Sequence, residues 1–229
     1  MKMLVTAVAA MILGAAAPGL AAPSGFTFTA PPGWVDLSSG SPVSKDISVP
    51  PALLEQAKSG AFAFYAADVA QPNDGFIENV NAVVTTQVQP PRLTLSAIDE
   101  IEKEARDGLT KRGMSYRVLK KDIIPLGGVP MARIVAEIDG AGTQVKMIQY
   151  VITGHKAYAT LTFSTTPAAF DRYEATFDTA AQATRGAVAP NDGELSGWLI
   201  GVIAGVGGSL GAAFAIKKKA NKKADAAKP

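Results

Sequence analysis

The chain has 229 residues, of which 48% are hydrophobic and 18% are charged, and it contains no cysteine. Disulfides, cysteine nucleophiles and thiolate metal sites are therefore excluded. The whole-chain net charge of +2 hides an uneven distribution, because residues 23–196 hold 19 acidic and 15 basic residues, a balance of −4. That segment has no basic field that would attract nucleic acid.

The first 22 residues have the pattern of a secretory signal peptide. Lys2 gives a positive start, residues 4–17 are apolar, and small residues lead to a predicted cleavage after Ala21 or Ala22. An uncleaved N-terminal anchor is the alternative, which the short apolar run disfavours. No cysteine follows the segment, so a lipid anchor through cysteine is excluded.

The exported part begins with short elements. Phe26 to Ala30 alternates phenylalanine with threonine, which predicts a strand, and Trp34 after the next turn is interpreted as a lid on the core. Proline at its start and glycine after its end predict a helix over Pro50 to Lys58. Two further strands are predicted over Ala61 to Ala67 and Glu78 to Gln87.

The clearest helix is predicted over Leu95 to Met114. Its apolar residues recur at helical spacing, and Ser96 with Asp99 is interpreted as a capping box. Its acidic residues are predicted to lie on a solvated face: Asp99, Glu100, Glu102 and Glu104.

Four strands and a helix complete the exported part. The strands are predicted over Tyr116 to Pro125, Pro130 to Ile138, Thr143 to Thr153 and Ala157 to Thr165, and Thr166-Pro167 is predicted to open the last helix. Strands joined by hairpin-length turns pair antiparallel, and amphipathic helices must cover the sheet. The fold class predicted is therefore α+β: an antiparallel sheet of about six to seven strands with helices on both faces, plus one C-terminal transmembrane helix.

The uncharged stretch Gly197 to Ile216 is 20 residues long and is followed by Lys217, Lys218 and Lys219. As a helix it would be about 30 Å long, the thickness of the hydrocarbon core of a bilayer. The stretch is predicted to be a single transmembrane helix that stops at the lysines.

The positive-inside rule gives its orientation. The lysine-rich tail is predicted to lie in the cytoplasm, with the exported domain outside it, and Trp198 and the three lysines at the two membrane interfaces. The chain is thus predicted to be a single-pass protein of the plasma (inner) membrane. Its predicted segments are the signal 1–22, the domain 23–186, the linker 187–196, the transmembrane helix 197–216 and the tail 217–229.

Small residues recur along the transmembrane stretch, and such rows let two helices pack closely in lipid. A homodimer through this stretch is one hypothesis, and the frequency of glycine in membrane helices is the alternative explanation. The residues concerned are Gly197, Gly201, Gly205, Gly207 and Gly211.

The sequence resembles the PsbP-like α/β/α sandwich group, which includes PsbP of the photosystem, the DcrB and LpqN exported proteins and the Ran-binding Mog proteins. The resemblance lies in Phe26 to Ser38, Asp74 to Val84, Leu126 to Ile138 and Lys146 to Ala183. It implies a noncatalytic role in binding or assembly, commonly at a membrane. No metal-binding or partner-binding residue of the group matches this chain well enough to be carried over.

The chemistry available in the sequence is sparse. His155, the only histidine, stands between Gly154 and Lys156 in a predicted turn, which favours a solvated side chain over a catalytic base. Gly127-Gly128 lacks the residues of a phosphate-binding loop. Neither a catalytic residue, a cofactor nor a metal site is predicted.

Three functions are compatible with this sequence. The first is a noncatalytic module that binds a protein partner near the membrane and outside the cytoplasm. The second is a carrier of a small apolar ligand or lipid in a cleft between sheet and helices. The third, more remote, is a hydrolase that uses carboxylates.

Overall fold

The computed structural model describes residues 25–38, 41, 47–70, 76–86, 93–140 and 142–188. Within these residues, seven strands form one antiparallel sheet and three helices pack on it. The strands are β1 Val35–Asp36, β2 Phe64–Ala67, β3 Asn79–Thr86, β4 Ser115–Leu126, β5 Val129–Gly140, β6 Thr143–Gly154 and β7 Ala157–Thr165. The helices are α1 Pro51–Ala57, α2 Leu95–Thr110 and α3 Phe170–Gln182. Across the sheet the strand order is β1-β2-β3-β7-β6-β5-β4.

Strands β4 to β7 form a meander with short turns. Gly127 and Gly128, between β4 and β5, have φ angles of +56° and +90°. Residues other than glycine rarely adopt such angles. The β6–β7 turn is His155-Lys156, where Lys156 has a φ of +52°. Both turns lie at the same end of the sheet, because Met131 pairs with Ile152 and Gly154 pairs with Ala157.

One face of the sheet is covered by α3 and the N-terminal segment. Phe177 is fully buried, and its ring lies 4.9 Å from Phe163, 5.8 Å from Tyr173 and 6.0 Å from Trp34. Aromatic pairs at such spacings stabilise a core beyond the area they bury. Trp34, which is half-buried, contacts the rings of α3 edge-on and closes this layer, so the prediction that it acts as a core lid is confirmed.

The opposite face is covered by α1 and α2. Helix α2 presents five buried residues to β4–β7, namely Ala97, Ile98, Ile101, Ala105 and Leu109. Helix α1 packs through Leu53 and Ala57 against Tyr65 of β2. An antiparallel sheet of seven strands with helices on both faces is thus present, as the sequence predicted.

Two local predictions were wrong. Residues Phe26 to Ala30 form no strand and contribute one isolated bridge, Thr27 to Arg185, because both phenylalanines pack down onto the sheet. The two-residue strand β1 lies after the turn instead. The last helix begins at Phe170, since Thr166 forms a turn in which its hydroxyl accepts from the Ala169 amide.

The start of α2 also differs from the prediction. The N-cap is Thr94, which has extended backbone angles and accepts a 3.1 Å hydrogen bond from the Ala97 amide. Ser96 lies inside the helix. A residue with helical angles cannot cap its own helix, so Ser96 and Asp99 do not form the capping box.

Candidate functional site

The most buried cation of the described residues joins the sheet to α3. The Arg133 side chain, 8% exposed, donates to Asp178 at 2.9 Å and to Glu174 at 2.7 Å. The Tyr150 hydroxyl donates to the same Asp178 carboxylate. Burial lowers the pKa of Arg133, but the hydrogen bonds to Asp178 and Glu174 outweigh it and raise that pKa above its ordinary value. The guanidinium is permanently charged, and its Nε and Nη2 both bind carboxylates of α3, so it joins this helix to the sheet.

A second buried cluster lies on the same face, where β2, β3 and β7 meet α3. The Tyr173 hydroxyl donates to Asp68 at 2.8 Å, and the Thr165 hydroxyl donates to Glu78 at 3.1 Å. Burial, the hydrogen bond to Asp68 and the nearby Glu78 raise the pKa of Tyr173. Asp68 also accepts from the Ala70 amide at 3.2 Å, so this carboxylate is held by two donors.

The acidic face of α2 is only partly solvated. Glu100 and Glu104 are exposed, as predicted, whereas Asp99 and Glu102 both accept hydrogen bonds from Lys121 of β4. The two pairs tie α2 to the edge strand. Because they are near the surface, each contributes little to stability.

His155 lies exposed in the β6–β7 turn, which confirms its predicted position. Within the described part of the chain, no three histidine, aspartate or glutamate side chains converge as a metal site. The structure thus brings His155 into no acid–base arrangement with the carboxylates of Asp68 and Glu78, which lie at the opposite end of the strands.

Between α1 and α2 the sheet face carries a belt of buried polar residues. Gln149 pairs with Thr162 across β6 and β7, and Thr162 pairs with Asn81 of β3, all fully buried. Gln149 donates to the Thr162 hydroxyl at 3.2 Å. The Oε1 of Gln149 and the Oγ1 of Thr160 have no hydrogen-bond partner in the structure. This part of the sheet is therefore polar, and buried polar atoms of this kind disfavour an apolar occupant.

A shallow depression of about 160 Å³ lies at the end of the sheet where β5 turns into β6. It is lined by polar and charged side chains, among them Arg117, Glu137 and Gln144. Arg117 donates to Glu137 at 2.6 Å. The depression is smaller than ordinary ligand pockets of roughly 300–1,000 Å³.

The chain enters and leaves the domain at the same place. The Val188 amide donates to the Thr153 carbonyl at 2.9 Å, and the Thr153 hydroxyl donates to the Val188 carbonyl at 2.8 Å. Gly186 packs against the Gly25 carbonyl so closely that any side chain there would overlap it. Both segments are thus fixed beside the β6–β7 turn.

We call this region the hairpin end, defined by residues 25–27, 84–86, 123–130, 153–158 and 182–188. It includes no aspartate or glutamate, and it carries the exposed cations Lys156 and Arg185. The far end of the strands, by contrast, holds charges of both signs.

Apolar side chains are also exposed on this side. Of the four large hydrophobic residues that are exposed in the described ranges, Ile123 and Val188 belong to the hairpin end, at 37% and 44% exposure. Leu95, 53% exposed, begins α2, and the fourth, Leu119, 40% exposed, lies in the half of β4 that is farther from the hairpin end. Helix α2 starts on this side, because β3 ends at Thr86 opposite Ala157 and the helix leads to β4 at the far end.

The residues predicted at the membrane lie outside the described part of the chain. They are the interface residues Trp198, Lys217, Lys218 and Lys219 and the packing residues Gly197, Gly201, Gly205, Gly207 and Gly211. Among the helices described, none combines the length and apolarity needed to cross a membrane. The signal segment 1–22 is outside the described ranges as well.

Sequence reasoning overlooked Arg133 and the buried carboxylates of Asp68 and Glu78. Arg133 lies in β5 between Met131 and Val135, which point to the same buried face of the sheet. A charge at an inward position of a buried strand signals an internal ion pair, and that signal was available in the sequence.

No family model matches the chain, and no curated protein matches its sequence. Among solved structures, the chain is similar to cyanobacterial PsbP (CyanoP) from Synechocystis sp. PCC 6803, with 15% identity and a TM-score of 0.49 over 71% of this chain and 87% of that chain. It is also similar to LpqN, involved in cell envelope biogenesis of Mycobacterium tuberculosis, with 12% identity and a TM-score of 0.43 over 74% of this chain and 88% of that one.

A third similar structure is PA94 from Pseudomonas aeruginosa, a protein of unknown function, with 16% identity and a TM-score of 0.35 over 49% of this chain and 74% of that chain. PsbP and LpqN are both named in the group that the sequence resembles. The chain is thus similar to PsbP-like proteins at low sequence identity.

Proposed function

We propose that the chain is a noncatalytic module, tethered to a membrane and held outside the cytoplasm, that keeps a protein partner close to the bilayer. The observation that carries the proposal is the fixed exit of the chain. Val188 is bound to Thr153 at the hairpin end, and only eight residues separate it from the uncharged stretch that begins at Gly197. The signal-like residues 1–22 and the lysines after residue 216 support the orientation.

A binding role agrees with how the charged side chains are used. The buried Arg133 and Asp68 each bind neighbours within the fold, and His155 lies alone in a turn. The hydrogen bonds of Arg133 and Asp68 attach α3 to the sheet. The resemblance of the sequence to the PsbP-like group implies the same kind of role.

The structure gives less support to the second hypothesis, a carrier of an apolar ligand or lipid between sheet and helices. An apolar ligand between sheet and helices would meet the polar belt of Gln149, Thr160 and Thr162, all of them buried. These groups are already out of water in the folded domain, so an apolar ligand there would have to open the packed sheet–helix interface beside polar atoms that have no partner, which a protein partner on the outer surface does not require.

Holding a partner requires no chemistry, only proximity. A domain linked by a few residues to a membrane segment searches a small volume, and short linkers give effective concentrations in the millimolar range. A weak contact with another membrane protein is then enough for a stable association.

Crosslinking in intact cells tests this function. The full chain is expected to give a specific crosslink to a membrane protein, and a variant that ends at Val188 should lose most of it because the effective concentration falls. Failure to recover any reproducible neighbour with the full chain would contradict the holding role.

A further inference from the structure

We propose that two copies of the chain pair through the edge strand β4, antiparallel to each other about a twofold axis at Lys121. This inference goes beyond the proposed function and does not depend on the tether. Strand β4 has 12 residues and lies at one edge of the sheet, whereas β1 at the other edge has only two. A long edge strand offers its free backbone groups to a further strand.

The outer side of β4 has open backbone groups. Hydrogen-bonded pairs alternate with non-hydrogen-bonded pairs along an antiparallel ladder, and the residues that close a two-residue turn form a hydrogen-bonded pair. Counted from Leu126, which closes the turn to β5, the amides and carbonyls of Ile123 and Lys121 point away from β5. The Pro125 carbonyl has the same phase, and it accepts a 3.1 Å hydrogen bond from the Gln182 side chain. Among the described residues, none bonds the outward backbone groups of Ile123 or Lys121.

The side chains around Lys121 are arranged symmetrically along the strand. Two exposed apolar residues, Leu119 at 40% and Ile123 at 37%, lie two positions before and after it. A cation and a carboxylate, Lys120 and Asp122, lie directly before and after it. Because side chains alternate along a strand, the apolar pair shares the face of Lys121 and the charged pair shares the other face. The 3.2 Å ion pair between Lys120 and Asp122 agrees with this arrangement.

A register centred on Lys121 makes these side chains complementary. It places Leu119 opposite Ile123 of the second copy and Lys120 opposite Asp122 of the second copy, and the symmetry repeats each pair. Side chains directly opposite each other have Cβ atoms about 4.5–5.5 Å apart, so apolar pairs and opposite charges stabilise the pairing. A centre at Asp122 would instead place two carboxylates opposite each other and separate leucine from isoleucine.

Lys121 itself meets Lys121 of the second copy at the axis. Its ammonium binds both Asp99 and Glu102 of α2, so each copy brings two carboxylates for this one cation. Lysines on an edge strand commonly prevent pairing. Here α2 compensates the charge of Lys121, and the centred register gives Lys120 a carboxylate partner in the second copy. The edge therefore fits a second copy of this chain.

Disulfide formation at single positions measures the register, because the native chain has no cysteine. Lys121→Cys places the two sulfurs at the axis, where the Cα atoms of a hydrogen-bonded pair are about 5.5 Å apart, within reach of a disulfide. Ser115→Cys in the same strand is the matched control, since the two copies of this position would lie about 40 Å apart. After mild oxidation of the full chain in detergent micelles, we expect the dimer yield at position 121 to be at least fivefold that at position 115.

Two charge reversals distinguish pairing of β4 from any contact through the uncharged C-terminal stretch. On the Lys121→Cys background, Asp122→Lys places like charges opposite Lys120, and Lys120→Asp places like charges opposite Asp122. Each reversal alone should lower the dimer yield at least threefold, because like charges directly opposite each other destabilise a strand pair. In an equal mixture the two variants are complementary again, and the yield should return to at least half of that without reversal.

Each step has an outcome that contradicts the proposal. Equal yields at positions 115 and 121 would overturn pairing through β4. A mixture that crosslinks no better than its separate components would overturn the register centred on Lys121. A crosslink from position 121 to a different protein in cells, with none to a second copy, would show that the edge binds a foreign strand and would contradict the homodimer.

Discussion

At the scale of single residues, Arg133 contributes ion pairs that hold α3 on the sheet. Its guanidinium is nearly buried, whereas the carboxylates of Glu174 and Asp178 are each 42% exposed. Removal of one member of a buried pair costs about 3–5 kcal/mol because the remaining charge loses its partner. Here water reaches the carboxylates and reduces that cost.

The first prediction concerns this residue. Arg133→Met is expected to lower the free energy of unfolding by about 2 kcal/mol, measured by urea denaturation. The matched control is Arg117→Met, whose guanidinium is 70% exposed and paired with Glu137, and it should change stability by less than about 0.5 kcal/mol. Equal effects of the two substitutions would show that Arg133 does not hold α3.

The sequence could have indicated that Arg133 is paired but could not have named its partners. Glu174 and Asp178 lie 41 and 45 residues away, on a helix whose register against the sheet is fixed only by tertiary packing. The position of His155 was predictable because Gly154 and the two polar residues after it interrupt the runs of two neighbouring strands, which is a local signal of a turn.

At the scale of elements, the cap of α2 shows what local patterns leave open. Thr94 and Ser96 are two positions apart and both carry a hydroxyl, so the sequence pattern allows either residue to be the N-cap of the helix. The structure selects Thr94, which has extended backbone angles and bonds the Ala97 amide. Strands β2 to β7 and the helices on both faces were predictable, since their alternation and amphipathic faces are local signals, whereas the two-residue β1 was not predicted.

The second prediction distinguishes the two hydroxyls. Thr94→Ala should lower the free energy of unfolding by about 1 kcal/mol, the usual value of an N-cap hydrogen bond. Ser96→Ala should be neutral or slightly stabilising, because alanine is the better helix former. Chemical denaturation of both variants measures these changes. A larger loss of unfolding free energy for Ser96→Ala than for Thr94→Ala would contradict the role of Thr94 as the N-cap.

The segment Phe26 to Ala30 shows the limit of the period-two signal. Alternation requires a partner strand to become a ladder, but here both phenylalanines stack toward the sheet, with ring distances of 5.9 Å between Phe26 and Phe28 and 5.8 Å between Phe28 and Phe64. The segment therefore covers the core instead of extending the sheet. Only the tertiary arrangement distinguishes the two outcomes.

At the scale of the whole molecule, the tyrosines make the fold sensitive to alkali. The chain has 5 tyrosines, and burial raises the pKa of every one of them. For Tyr158 the pKa is raised to about 12. Unfolding returns these phenols to a pKa near 10.

The third prediction follows from this difference. Below about pH 10 both states keep their phenolic protons and stability is unaffected. Above it the unfolded state loses protons first, so the free energy of unfolding falls as pH rises, by up to about 1.4 kcal/mol per pH unit for each tyrosine. For Tyr158 the loss extends from about pH 10 to about pH 12.

The absorbance of tyrosinate, measured as the pH is raised, tests this prediction. The folded chain should show little tyrosinate near pH 10.5, and Tyr158→Phe should have a shallower fall of stability with pH than the parent chain. Normal ionisation of all five phenols in the folded state would contradict the burial found here.

The whole-molecule account depends on the domain and the tail lying on opposite sides of a membrane. The direct measurement uses single-cysteine variants, Gln144→Cys in the domain and Ala226→Cys in the tail, and a membrane-impermeant thiol reagent on sealed, right-side-out vesicles. The account predicts that position 144 reacts at once and that position 226 reacts only after detergent is added. Reaction of position 226 before detergent, with position 144 protected, would contradict it.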